Sequence, residues 1–270
     1  MNLKAKTWLK LKPIATGLLV LTAVVIFGAW LILTPEGLLG KADTIGYSVC
    51  HRIADRSFFI GGRQTPLCAR CSGMYLGMLA GLLFQLPFGR RTHFPPLKIS
   101  IPLSILFIAF TVDGLNSFVQ FIPGAPQLYE PTNLLRLFTG AGLGMLVPLY
   151  LLPVFHQTLW DKSEERPALE RWPQAAGLLV VIGLVAWAVY SEIPALLYPL
   201  AVLSALTVPL ILGMCYALLW ILAFHKENRY ASLKQAWRPL LAGLTTAMLQ
   251  IGLIDLLRYR FTGTWAGFQL

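Results

Sequence analysis

The chain has 270 residues, 56% of them hydrophobic and only 13% charged, against about 25% charged in a soluble domain. Its 22 Lys and Arg outnumber 12 Asp and Glu, for a formal charge of +10. That composition excludes an ordinary soluble enzyme. It also argues against a nucleic-acid partner, because the basic residues are dealt out between long apolar runs rather than gathered in one patch.

Seven apolar runs approach the length of about 20 residues that a hydrocarbon core demands. They fall at 13–33, 71–88, 99–122, 134–155, 174–190, 196–223 and 239–257. The expected fold is all-α: a polytopic transmembrane helix bundle forming one domain over 1–270, with no internal repeat. Lys4, Lys6, Lys10 and Lys12 precede the first run. The run from Ile14 to Leu33 is too long for a signal core, and no small-x-small site follows it, so it reads as a retained anchor.

Orientation follows from the basic residues. With the N-terminus in the cytoplasm, the inner segments hold 14 of the 22, from Lys4 to Lys12, then Arg90, Arg91, Lys98, Lys162, Arg166, Arg171, Lys226, Arg229, Lys234 and Arg238. Positive segments stay inside. The expected location is the plasma membrane of a prokaryote, as a multi-pass protein whose first partner is the lipid bilayer.

The segment 34–70 is then extracytoplasmic, yet it carries Lys41, Arg52, Arg56, Arg63 and Arg70. An anionic ligand or headgroup snorkelling would each explain this. Leu38, Ile45, Val49 and Ile53 recur at near-helical spacing, which predicts a short helix on the membrane surface. Gly61-Gly62 and Pro66 then break the chain, predicting a turn that brings Cys68 and Cys71 back towards Cys50.

Three of the four cysteines lie in this stretch, as Cys50-His51 and Cys68-Ala69-Arg70-Cys71. Thiolate and imidazole are ligands for zinc, so Cys50, His51, Cys68 and Cys71 are the candidate metal site. Adjacent Cys50 and His51 fit awkwardly if helical, since neighbours on a helix point about 100° apart. Two other readings stay open. Cys68 and Cys71, at a helix start with Arg70 between them, could be a redox pair; or the cysteines could form a structural disulfide. Cys215 reads as core, and His93, His156 and His225 fall on the inner side.

In the second run Gly73, Gly77 and Gly81 share one helix face, and Gly140 and Gly144 do so in the fourth. Small residues at this spacing let helices approach closely. Asp113 is a costly mid-span charge, with a functional or paired role by default. Asn116 lies one turn further out. Asn133 and Arg136 open the fourth run; Gln250 and Asp255 occupy the outer half of the seventh. All six are expected at one depth beneath the Cys/His loop. Arg136 and Asp113 are expected to pair, as a clamp or as a catalytic couple in which Asp113 handles protons and Arg136, with Arg52 and Arg70, holds an anion. Arg52, Arg70 and Asn133 are the candidate ligand-binding residues. Asp255, near Arg258, is expected at the interface.

Cys50-His51-Arg52, Arg56-Ser57-Phe58, Gly61-Gly62 and Pro66-Leu67-Cys68-Ala69-Arg70-Cys71-x-Gly73-x-Tyr75 together resemble a family of predicted prokaryotic membrane proteins of unknown function. Asp113-Gly114 and Thr132-Asn133-x-x-Arg136-x-x-Thr139-Gly140 are similar to its later motifs. The likeness covers about 45–145 and implies a shared outer-face site. Where the family usually shows Gln after Asp-Gly, Asn116-Ser117 stand here. Three functions follow as expectations: a metal site, most readily zinc, acting on a small or lipid-linked anionic ligand; a non-catalytic subunit that docks a membrane-protein partner; or a thiol-disulfide oxidoreductase using Cys68 and Cys71.

Overall fold

A computed structural model describes residues 3–122 and 124–267, with side chains from residue 13 onward. The side chains of Lys4, Lys6, Lys10 and Lys12, used to orient the chain, lie outside the described residues. Among the described residues, seven helices are long and apolar enough to cross a membrane. The all-α expectation holds, and each span contains or overlaps a predicted run, the last one extending beyond it by a turn or more at each end. They are α1 (Leu3–Leu33, apolar from Pro13), α3 (Ala69–Gln85), α4 (Leu97–Val119), α5 (Asn133–Leu159), α6 (Trp172–Tyr190), α7 (Pro194–Ala223) and α8 (Leu233–Thr262). A shorter helix, α2 (Gly37–Val49), lies between the first two spans.

The pairing of α3 with α5 is the centre of the bundle, and the glycines are the reason. A Cβ on Gly140 would stand 2.1 Å from the Arg70 carbonyl oxygen, and one on Gly144 would stand 2.0 Å from that of Met74. A Cβ on Gly73 would stand 2.2 Å from the Leu137 carbonyl oxygen. Backbone therefore lies directly on backbone, as the small-residue faces predict. Around this pair, α4 packs on α5, α6 and α7 each touch both helices, and α8 packs against α7. The α1 span exposes most of its side chains and rests on α8.

Both ends of the bundle are tied by short strands. Two pairings, β1 (Phe59–Ile60) with β2 (Arg63–Gln64) and β3 (Arg91–His93) with β4 (Glu164–Pro167), lie at opposite ends. At the β3 end, Arg90 donates to the Ala231 carbonyl at 2.9 Å and His156 Nδ1 lies 3.2 Å from the Arg91 carbonyl. His93 and His156 are thus remote from the cysteines, as expected. Cys215 is half-buried in an apolar cluster with Met78, Leu82 and Ile211.

The predicted surface helix differs. Its α2 counterpart packs against α7 and α8, with Ile45 buried and Leu38 exposed, and it ends before Ile53. Gly46 permits this burial: a Cβ there would lie 2.0 Å from the Pro66 carbonyl oxygen. The helix is wedged into the bundle rather than laid upon it.

A three-cysteine candidate metal centre

The hairpin does what the glycines predict. Gly61 (φ 56°) and Gly62 (φ 84°) both adopt left-handed backbone, and β1 turns directly into β2. Such a turn needs φ > 0 at both central residues, a conformation that glycine adopts at no steric cost. The returning chain delivers Cys68 as the N-cap of α3, with Cys71 in its first turn. Cys50 follows the last residue of α2. The Sγ atoms of Cys50, Cys68 and Cys71 all lie within 4.8 Å of one another. A tetrahedral zinc with Zn–S of about 2.3 Å needs sulfurs about 3.8 Å apart. The three are close enough to hold a metal ion.

His51 is not among them. Cys50 is in extended backbone (φ −134°, ψ 145°), and successive side chains on an extended chain point to opposite sides. Cys50 is buried and His51 exposed. The four-ligand expectation is corrected to three sulfurs; among the described residues no fourth Cys, His, Asp or Glu joins the group.

The surroundings treat the three thiols unequally and favour thiolate at Cys68. Cys50 Sγ accepts from the backbone N–H of Cys68 at 3.3 Å and of Arg52 at 3.4 Å. Arg52 reaches that position through left-handed backbone (φ 52°), which is uncommon outside glycine. Its guanidinium is held by Asp43 at 3.0 Å and by the Trp265 carbonyl at 3.3 Å. Arg52 therefore helps to shape the turn at Cys50. Arg258, from α8, donates to the Cys50 carbonyl at 2.7 Å and stacks on the Tyr47 ring at 3.9 Å. Hydrogen bonds from Cys50 and Cys71, and then the Arg70 charge, hold the Cys68 thiol well below its ordinary range. Hydrogen bonding to Cys68, with burial, pushes the Cys50 thiol up to about 12.

A polar network adjoins the sulfurs, and it corrects the expected Asp113–Arg136 pair. Asp113 is 1% exposed, and its partner is Arg70, which binds it through Nε at 3.0 Å and through Nη2. Tyr129 and Thr139 donate to the same carboxylate at 3.0 and 3.1 Å. Arg70 also donates to Ser117 Oγ at 2.7 Å. Arg136 instead donates to Asn133 Oδ1 at 3.1 Å and Gln120 Oε1 at 3.3 Å. Asn133 Nδ2 in turn donates to the Asp55 carbonyl at 3.1 Å, tying α5 to the cysteine segment. Asn116 braces the 120–132 loop through the Tyr129 carbonyl and the Leu128 N–H.

The seventh span does not join the network. Gln250 accepts from Tyr216 of α7 at 2.7 Å. Asp255, expected at the interface, is 3% exposed, and neither carboxylate oxygen has a hydrogen-bond partner among the described residues. Sequence reasoning missed Tyr129, Gln120, Ser117 and Thr139 as neighbours of the site. Thr139 and Ser117 had a signal, Thr139 from the motif opening α5 and Ser117 from its place just after Asp113-Gly114.

Fold and site together define a multi-pass membrane protein with a three-thiol centre where α2 and α3 meet at one end of the bundle. The family model described as "Predicted membrane protein (DUF2085)" matches residues 50–150, which hold all three cysteines, Asp113 and Arg136. An uncharacterized protein of Methanocaldococcus jannaschii is 34% identical over 114 residues, covering 42% of this chain and 68% of the relative. An uncharacterized protein of Methanothermobacter thermautotrophicus is 32% identical over 104 residues, covering 37% and 82%. The chain belongs to the DUF2085 family of predicted membrane proteins. No solved structure matches it.

Proposed function

We propose that the protein is a membrane-embedded metalloprotein whose three-cysteine centre, most readily occupied by zinc, receives a small or lipid-linked anionic ligand. The single observation behind this is the meeting of three sulfurs within 4.8 Å from two separate chain segments. Three thiolate ligands suit a soft or borderline metal. A zinc ion held by three protein ligands keeps one coordination position, where it supplies a Lewis acid. The chain's own residues supply the rest. Backbone N–H groups of Arg52 and Cys68 donate to the Cys50 sulfur, the α3 N-terminus and Arg70 face Cys68, and Arg258 fixes the Cys50 carbonyl. By the positive-inside count, this end of the bundle faces out of the cytoplasm.

The test is elemental analysis of purified protein, followed by cobalt substitution. About one metal per chain is expected, with the intense visible bands of tetrahedral cobalt–thiolate, both lost on Cys68→Ser. A metal-free protein with a Cys68–Cys71 disulfide would overturn the reading. It would favour instead a thiol-disulfide role, which the depressed Cys68 thiol beside Cys71 supports.

A further inference from the structure

We propose that Arg56 and Arg136, with Arg70 beside them, form a seat for a phosphate-type oxyanion next to Cys68. The proposal rests on the anionic-ligand reading above and names its chemistry.

Gln120 Oε1 accepts from Arg56 Nη2 at 2.9 Å and from Arg136 Nη2 at 3.3 Å. Two cations thus share one neutral oxygen. Arg136 is only 5% exposed, and its Nε has no hydrogen-bond partner among the described residues. Arg70 stands close enough to repel both, and Cys68 close enough to attract them. Against three guanidiniums the network offers one buried carboxylate, Asp113. Arg70, Tyr129 and Thr139 already occupy it. The other acid near Arg56 is Asp55, which is exposed and solvated.

Partly buried like charges with no carboxylate paired to either are costly, and a bound anion reduces that cost. A guanidinium presents paired N–H groups in a fork that matches two oxygens of a tetrahedral oxyanion. A phosphate monoester dianion offers the Arg56 and Arg136 forks three oxygens and two charges, whereas a carboxylate offers two oxygens and one charge. Gln120, in the turn just after α4, holds an amide oxygen where an oxygen of the anion would sit. Its displacement opens the seat. A lipid headgroup monoester and free phosphate share this chemistry.

The test is titration calorimetry on detergent-purified protein with two probes: inorganic phosphate, and nanodiscs of phosphatidic acid in phosphatidylcholine. Saturable binding of either is expected. Inorganic phosphate binding alone identifies a free-phosphate seat, and nanodisc binding beyond that of pure phosphatidylcholine identifies a lipid seat. Arg56→Gln and Arg136→Gln should each weaken binding about tenfold, the loss of one charge-assisted contact. Gln120→Ala removes the internal competitor and should bind at least as tightly as wild type, which keeps the test decisive if an arginine variant fails to fold. Failure to bind either probe, unchanged affinity in both arginine variants, or weaker binding in Gln120→Ala would each overturn the seat. Metal content of the same samples separates the two ideas. Phosphate binding by metal-free Cys68→Ser protein sustains the seat without the metal centre. Full metal content without phosphate binding retires the seat alone.

Discussion

Arg70 closes on Asp113 across the boundary between α3 and α4, its Nε 3.0 Å from Oδ2 and its Nη2 3.0 Å from the Asp113 main-chain carbonyl. This ties the residue between the two helix-borne cysteines to the one acid buried in the third span. The cysteine turn and the membrane-embedded network are therefore one mechanical unit.

Breaking that pair from either side should be severe. Asp113→Asn and Arg70→Gln should each cost about 3 kcal/mol or more, since each strands a buried charge. The double variant should lose much less than the sum of the two. Arg136→Gln combined with Asp113→Asn should come closer to additivity, because no ion pair joins them. Thermal unfolding of these variants, followed by tryptophan fluorescence, tests the assignment.

The α3–α5 seam should not tolerate a methyl group. A Cβ on Gly140 meets the Arg70 carbonyl oxygen at 2.1 Å, so Gly140→Ala must push the helices apart and disturb Arg70 and Cys71 together. Lower melting temperature and reduced metal retention are expected. Gly252→Ala on α8 is the control, having nothing within 4 Å. It should be neutral, or stabilising by up to about 1 kcal/mol from helix propensity.

Metal content should separate sulfur from imidazole. Cys50→Ser, Cys68→Ser and Cys71→Ser should each lose the metal, because a hydroxyl is a poor substitute for thiolate. His51→Ala should retain it, since only the three sulfurs converge. Loss of metal in His51→Ala, measured by elemental analysis, would restore the imidazole as a ligand.

Impermeant maleimide on intact cells reports orientation. After chelation and reduction, Cys68 and Cys71 should be modified without permeabilisation, because the reverse topology would place the greater share of basic residues outside. Labelling that requires permeabilisation would invert the bundle.

The loop over the network should depend on Asn116, which is 3% exposed and bonds the loop at 2.9 and 2.8 Å. Asn116→Ala leaves buried backbone groups unpaired, at a cost of about 1–3 kcal/mol. Faster hydrogen exchange over 120–132, with little change elsewhere, is the expected signature.

The sequence by itself determined the number and position of the spans, because a hydrocarbon solvent imposes both length and apolarity on every crossing segment. It also determined the return of Cys68 and Cys71, through Gly61 and Gly62, whose left-handed backbone makes the hairpin. The close seam of α3 and α5 was legible too, since small residues one turn apart leave nothing else to pack. What only the tertiary structure decided was which residue meets which. Arg70 rather than Arg136 takes Asp113, Gln120 stands between two arginines, His51 is exposed while Cys50 is buried, and α8 contributes Arg258 rather than Asp255. The physical reason is shared. A helix in lipid has apolar side chains on nearly every face, so its rotation about its own axis leaves little periodic trace in the sequence. That rotation was settled by backbone contact at glycines such as Gly140 and Gly46, and it alone sets the partners of each buried polar group.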